Sequence, residues 1–317
     1  VTVLAVDLGG SHIGCAVVNG GSVLAASSLP VQGVSLSLAL PRIEVTLRQQ
    51  CRTLGISPEN CRGIGFGIPA IVDSRTTEIL SVLNKFEDVR GADLLAWSRR
   101  AFGLPARLQN DAALALLGEC EQGAGRGFGD VVMVTLGTGI GVAVMLQGKI
   151  MTSRLGQAGC LGGHLTVRFN GRPCICGNLG CAEAEASTAA LPGLCAGWPG
   201  FAGSLLAREP VCDFAALFRA KDAGDRVAQE VFDHCIDVWS ALAVTLVHAY
   251  GPQRMIFGGG VLRRAEEILP AIRTFVHEHT WKTTRGAVSI EPASLGEAAA
   301  FLGAEALFGD EFTQEMR

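Results

Sequence analysis

Charge is scarce in this 317-residue chain. Asp, Glu, Lys and Arg together make up 18% of it, the net charge is -4, and no run or arm rich in Lys and Arg occurs. Such a surface offers polyanions no general attraction, and nucleic acid is not expected as a partner. Also lacking is an uninterrupted apolar run of about 18 residues, so neither a spanning helix nor a membrane partner is expected. The opening "VTVLAVDLGG" has neither the basic start, nor the long apolar segment, nor the small-residue cleavage site of a signal peptide. The expected setting is the cytoplasm. Low-complexity linkers and short-period repeats are absent as well.

What is present is apolar. Hydrophobic residues make up 49% of the chain and the mean hydropathy is +0.34, ample for a large core. At this length a single core stops growing, so two lobes are expected. Eleven cysteines are an odd count, mostly scattered in apolar surroundings such as Cys15, Cys195 and Cys235, where cysteine behaves as a small, reduced hydrophobe.

The pattern along the chain reads as α/β. Residues 2–26 form a strand meander with an acidic turn, 35–54 a helix, and "CRGIGFGIPAIVD" a buried strand broken by Gly and Pro. Helical spacing returns at 91–103 and 111–122, and two strands flank a glycine turn in "DVVMVTLGTGIGVAVML". From 152 to 203 periodicity is weak. A helical pattern covers 213–250, "RMIFGGGV" is a further strand, and "SLGEAAAFLGAEALF" is an Ala/Leu helix. A strand ending in a glycine turn recurs at 3–10, 131–141 and 255–260, as two related α/β lobes would produce.

Four segments carry chemistry. In "LAVDLGGSHIG", Asp7 precedes two glycines and Ser11, an arrangement that either holds phosphate and a hydrated cation or simply turns a hairpin. The glycines at 137, 139 and 141 precede a β-branched strand, not the helix a dinucleotide fingerprint requires, which leaves a phosphate-gripping hairpin or a plain turn. Asn110-Asp111 stands where a strand meets a helix: Asp111 is either an N-cap or a base accepting a proton from a hydroxyl nucleophile, with Asn110 orienting the substrate. Finally, His164, Cys174, Cys176 and Cys181 supply four soft-to-borderline ligands suited to tetrahedral zinc. A disulfide is disfavoured by the reducing setting, and a redox pair is normally Cys-x-x-Cys. Four protein ligands close the site, which makes the metal structural.

In order along the chain, "DLGGS", "GIGFGIPAIVD", Asn84 in "SVLNKFE", "NDAALALLGE", "LGTGIG", "GGH…CICGNLGCAE", "FGGGV" and "LGEAAAFLGA" resemble the ROK sugar kinases, glucokinase- and N-acetylmannosamine kinase-like members of the actin-like ATPase and hexokinase superfamily. The resemblance implies a two-lobed ribonuclease H-like fold of mixed sheets flanked by helices, with a zinc-knuckle insertion. Residues 1–112 plus 300–317 would form a small lobe, and 113–299 a large lobe with the zinc site at 164–181. It further implies that Asp7, Gly9, Gly10 and Ser11 form one phosphate turn, Thr138 and Gly139 a second, and Gly258, Gly259 and Gly260 lie against adenosine. Asp111 would be the base. Asn84, Asn110, His164 and Glu183 would contact sugar hydroxyls, His164 using its second ring nitrogen. Cofactors would be ATP, Mg2+ and structural Zn2+, the acceptor the 6-OH of a hexose or N-acetylhexosamine, and the assembly a homo-oligomer, dimer or tetramer.

Departures bear on substrate. The family commonly carries Glu-x-Gly-His after Ala-Gly, whereas this chain has "AGCLGGH", with Cys160 after Ala-Gly, one residue added and no acid. Ser11, His12 and Ala70 replace the usual threonine, a frequent lysine and a common glycine. Loss of the carboxylate points toward an N-acetyl or otherwise altered sugar, toward broadly weaker binding, or toward a sensor of the same fold without catalysis. A third possibility, a regulator with an N-terminal helix-turn-helix domain, is not expected, because the first strand begins at residue 2.

Overall fold

The computed structural model describes residues 1–9, 12–31, 35–73, 76–82 and 86–309. The meander is β1 (Thr2–Leu8), β2 (His12–Asn19) and β3 (Ser22–Pro30), followed by α1 (Leu36–Thr53). Next come β4 (Ile64–Ile68), β5 (Ala70–Asp73), β6 (Glu78–Val82), α2 (Leu94–Phe102), β7 (Ala106–Asn110) and α3 (Asp111–Gln122). The second glycine turn joins β8 (Val131–Leu136) to β9 (Ile140–Leu146), with β10 (Lys149–Ile150) behind it. Two short helices, α4 (Ala182–Ala186) and α5 (Leu191–Ala196), interrupt the aperiodic region. They precede α6 (Phe214–Asp222), α7 (Arg226–Tyr250), β11 (Arg254–Gly258), α8 (Ala265–His279), β12 (Ser289–Pro292) and α9 (Ala298–Ala306).

Two five-stranded sheets repeat one plan, β3-β2-β1-β4-β7 and β10-β9-β8-β11-β12. In the first, β1 pairs antiparallel with β2 and parallel with β4, which pairs parallel with β7. Residue alternation assigns its faces. Leu4, Val6 and Leu8 of β1 and Ile64, Phe66 and Ile68 of β4 pack with Leu36, Ile43 and Leu47 of α1 in one core. The opposite face of "IGFGI" is glycine, and there α9 packs so closely that a Cβ on Gly65 would lie 2.7 Å from the Ala304 methyl. Burial on both sides explains why these strands read as nearly continuous apolar runs.

The chain falls into two compact units: Val1–Val131, Ala143–Cys160 and Ala293–Arg317 form one, Val132–Val142 and Leu161–Pro292 the other. This division differs from the lobes drawn at 112 and 300. Helix α3 belongs with the first unit because it packs against α9, and residues 143–160 join them.

Helix α7 is long and apolar enough, by length and composition, to cross a bilayer, which the search for unbroken apolar runs did not register. It is a core helix of its unit, packing against α4, α6 and α8 with Trp239 fully buried and charged Arg226, Glu230, Asp233 and Asp237 along its length. The pattern at 213–250 divides into α6 and α7 because Gly224 takes φ +82 and the Asp225 carboxylate caps the new helix, accepting from Ala228 N–H at 2.9 Å. Neither α8, which contains Pro270, nor the short strands β6, β10 and β12 stood out in the sequence.

Candidate functional site

In the first unit, register builds a row. Asp7 pairs with Gly67, and Gly67 with Gln109, so these three positions lie side by side across β1, β4 and β7 on one face of the sheet. Glycine at 67 makes room: a Cβ there would come within 2.8 Å of Asp7 Oδ1. Burial, and then the charges of Asp111 and Glu297, raise the Asp7 carboxyl to about 7. Gly9 donates its N–H to the Asp7 carbonyl at 3.2 Å. Gly10 and Ser11 of this turn lie outside the described residues, as does Asn84.

Beside the row, α3 starts. Of the two readings open for Asn110-Asp111, the cap falls to Asn110, whose Oδ1 accepts from Ala113 N–H at 3.2 Å while its Nδ2 donates to the Ala70 carbonyl at 3.1 Å. Asp111 is then the first helical residue, half-buried, with Oδ1 accepting from Ala112 N–H at 2.9 Å. Negative charge is favourable in that first turn. Asn110 also lines a pocket together with Gln109 and Cys160. The Cys160 thiol contacts the Gly156 carbonyl at 3.3 Å. Burial pushes it up to about 11, and the Asp111 charge acts in the same direction, so this position stays neutral where the family pattern has an acid.

The second unit holds the other glycine turn. The Gly137 and Thr138 carbonyls accept from Thr188 and Ala189 N–H, each at 3.0 Å, and Thr138 itself is exposed. The Glu183 carboxylate accepts from Ile140 N–H at 2.9 Å, and a Cβ on Gly139 would overlap that carboxylate. Glu183, expected to read sugar, is thus placed against the turn. At the end of β11, Gly258 is buried, and Gly259 takes φ +92, where any Cβ would overlap the Leu136 carbonyl. Gly260 follows, exposed.

Residues 164–181 fold as a knuckle. Gly177 and Gly180 take φ +91 and +65, and the bridges Pro173–Leu179 and Thr166–Cys181 close the loops. His164 Nδ1 lies 3.5 Å from Cys174 Sγ, Cys176 Sγ lies 3.7 Å from Cys181 Sγ, and all four donor atoms fall within 4.8 Å of one another. A tetrahedron with zinc–sulfur bonds of about 2.3 Å has edges of about 3.8 Å, so the donor set fits zinc in chemistry and in size. Burial and the neighbouring sulfurs push the Cys181 thiol up, whereas at Cys176 burial is outweighed by hydrogen bonds from Asn178 N–H, Cys174 and Cys181, which hold it down; a bound divalent ion would keep all three as thiolates. Beneath the knuckle, the fully buried Glu185 accepts from Arg172 N–H at 2.5 Å and faces Arg168 and His234 at 3.7 and 3.6 Å.

Sequence reasoning passed over Gln109 and Glu297. A lone glutamine in a short strand carries no pattern. The only available signal was a polar residue where "ARLQN" needs a buried one.

Known proteins resemble the chain over most of its length. The glucokinase of Thermotoga maritima is 34% identical over 249 residues, covering 77% of this chain and 78% of that protein. The xylose repressor of Bacillus subtilis is 26% identical over 81% of this chain and 63% of its own length. The crystal structure of a ROK family glucokinase from Streptomyces griseus in complex with glucose and AMPPNP superposes with a TM-score of 0.79 at 27% identity, covering 97% of this chain and 99% of that one. The mixed sheets with flanking helices are those of the actin- and hexokinase-like α/β fold. With the family model matching residues 3–311, the chain belongs to the ROK family.

Proposed function

We propose that the chain is an ATP-dependent sugar kinase that phosphorylates the 6-OH of a hexose or N-acetylhexosamine, with Asp111 as general base. The observation that carries this reading is the division of labour at the start of α3. Asn110 takes the cap, which leaves the Asp111 carboxylate at a rigid helix start beside the pocket that Asn110 lines. A base held in this way accepts the hydroxyl proton as the oxygen attacks the γ-phosphate of ATP.

The remaining roles follow from residue types and from the family. Asp7, Gly9, Gly10 and Ser11, and separately Thr138 and Gly139, contact phosphate; Gly258, Gly259 and Gly260 contact adenosine. Asn84, Asn110 and His164 contact sugar hydroxyls, and Glu183 joins them with the oxygen not engaged by Ile140. Mg2+ neutralises charge on the phosphates when bound, and Asp7 is the residue that would hold its hydration shell. Zinc on His164 Nδ1 would leave Nε2 to the sugar and fix the ring.

A non-catalytic sugar sensor is the second reading, favoured by the acid missing before His164 and by the repressor among the relatives. The test is Mg-dependent ADP release from ATP across glucose, mannose, fructose, allose, N-acetylglucosamine and N-acetylmannosamine. Asp111→Asn should lower kcat on the best sugar by about 10²–10⁴ while sugar binding persists. Comparable turnover by that variant removes Asp111 as the base, and silence of the zinc-loaded wild type on every sugar favours the sensor.

A further inference from the structure

Two segments of the knuckle hold the second glycine turn, and each contains a residue of the zinc-binding set. The first leads into His164. A Cβ on Gly163 would overlap the Ile140 carbonyl, and one on Gly162 would overlap the Val142 side chain. Both glycines are buried, so the backbone before the histidine rests directly on the start of β9. The second segment follows Cys181. There α4 carries Glu183, whose carboxylate accepts from Ile140 N–H at 2.9 Å. Beyond α4, Thr188 and Ala189 N–H donate to the Gly137 and Thr138 carbonyls, each at 3.0 Å.

The segments 162–164 and 181–189 are joined to each other at the knuckle. Thr166 and Cys181 form a bridge, and Ala182 N–H donates to the Leu165 carbonyl at 3.1 Å. Across the same junction lie His164 and Cys181, whose donor atoms fall within one cluster with those of Cys174 and Cys176. A cation held by all four would tie the segments together far more firmly than two backbone contacts do, because knuckles of this kind fold with their metal. Every residue in this chain of contacts belongs to the second unit.

We infer that segments 162–164 and 181–189, clamped through the zinc-binding residues, position the 137–141 turn, so that metal binding and nucleotide binding are linked. The inference rests on the kinase reading, in which Thr138 and Gly139 of this turn contact phosphate. It gives the knuckle a role that does not pass through the sugar. Linkage of this sort is reciprocal: the factor that zinc adds to nucleotide affinity is the factor that nucleotide adds to zinc affinity. Glu183 is the positioning residue of the link, since its carboxylate joins α4 to an amide of the turn.

The test needs neither turnover nor sugar. Zinc affinity of the full chain, measured by competition with a chromogenic chelator, should tighten about fivefold or more when MgADP is present. Calorimetry should show MgADP binding the zinc-loaded protein more tightly than the metal-free protein by the same factor. Glu183→Ala, with zinc still bound, should bind MgADP at least about fivefold more weakly than wild type. Glu183→Gln keeps an acceptor for Ile140 N–H and should restore that affinity. If the metal-free protein does not fold, the two zinc-loaded variants decide; if the alanine variant does not fold, the competition measurement decides. Zinc affinity unmoved by MgADP that does bind overturns the inference and leaves the kinase reading intact, as does an alanine variant that binds MgADP as tightly as wild type. A zinc-loaded wild type that binds no MgADP removes the kinase reading and the inference with it.

Discussion

Among the described carboxyl groups, Asp7 is the one whose environment most opposes its charge. Its carboxyl ionises near 3.8 in an unfolded chain and near 7 in the folded one, mainly through burial and then through Asp111 and Glu297. Between those two values the folded state holds the extra proton. Its contribution to stability is therefore complete below about pH 4 and is lost as pH rises through about 7. Asp7→Asn should accordingly flatten the fall in melting temperature between about pH 5 and pH 8, measured in the absence of magnesium and nucleotide. An unchanged slope would show that Asp7 does not carry it. A second buried carboxylate, Glu119, shows the opposite solution, for it is satisfied by Ser294 and Leu295 N–H, Ala124 N–H and the Ser294 hydroxyl. Asp7 and Asp111 were legible as candidates because each adjoins a glycine turn or a helix start, where a structural role and a chemical one both lie within a few residues. Gln109 was not, because its burial and its place in the row with Asp7 are set by strand register, which no local pattern carries.

Among the elements, α3 and α9 are held together by absence of side chain. A Cβ on Gly118 of α3 would overlap the Ala299 carbonyl, and one on Gly303 of α9 would overlap the Leu114 carbonyl. Neither obstacle is a flexible side chain that could move aside. Gly303→Ala should therefore destabilise the protein by about 1–3 kcal/mol and lower kcat as well, because α3 begins with Asp111. Urea unfolding and steady-state kinetics check both, and a variant as stable as wild type would mean that the helices separate without cost. These two helices were visible from their Ala/Leu patterns, whereas their contact was not. The pattern also missed α8, where Pro270 interrupts a helical reading, and β12, four residues ending in a proline. In both, tertiary packing outweighs local preference.

At the scale of the whole molecule, two units imply two cores, and the four residues that could hold zinc lie in one of them alone. Unfolding need not be a single two-state transition. Calorimetry should resolve a transition that a zinc chelator moves to lower temperature and another that it leaves in place. Cys176→Ala should lose the metal and reproduce that shift; about one equivalent of zinc still bound to the variant would refute the ligand assignment. The repeated strand plan of the two sheets is what the recurring strand-and-glycine-turn segments foreshadowed. The division into units follows contacts, such as those of α3 with α9, between segments far apart in sequence, which no local pattern carries.

By itself the sequence determined what depends on neighbours along the chain. The meander, the glycine turns, the start of α3 and the spacing of the zinc ligands all follow from residue type and local backbone freedom, which act over a few positions. The tertiary structure decided what depends on residues meeting across the fold. It set Asp7, Gly67 and Gln109 in one row, gave the cap to Asn110 and left Asp111 beside it, and turned Glu183 onto the Ile140 amide. Strand register and helix packing are cooperative properties of the whole core, and they are what convert a common set of motifs into one particular site.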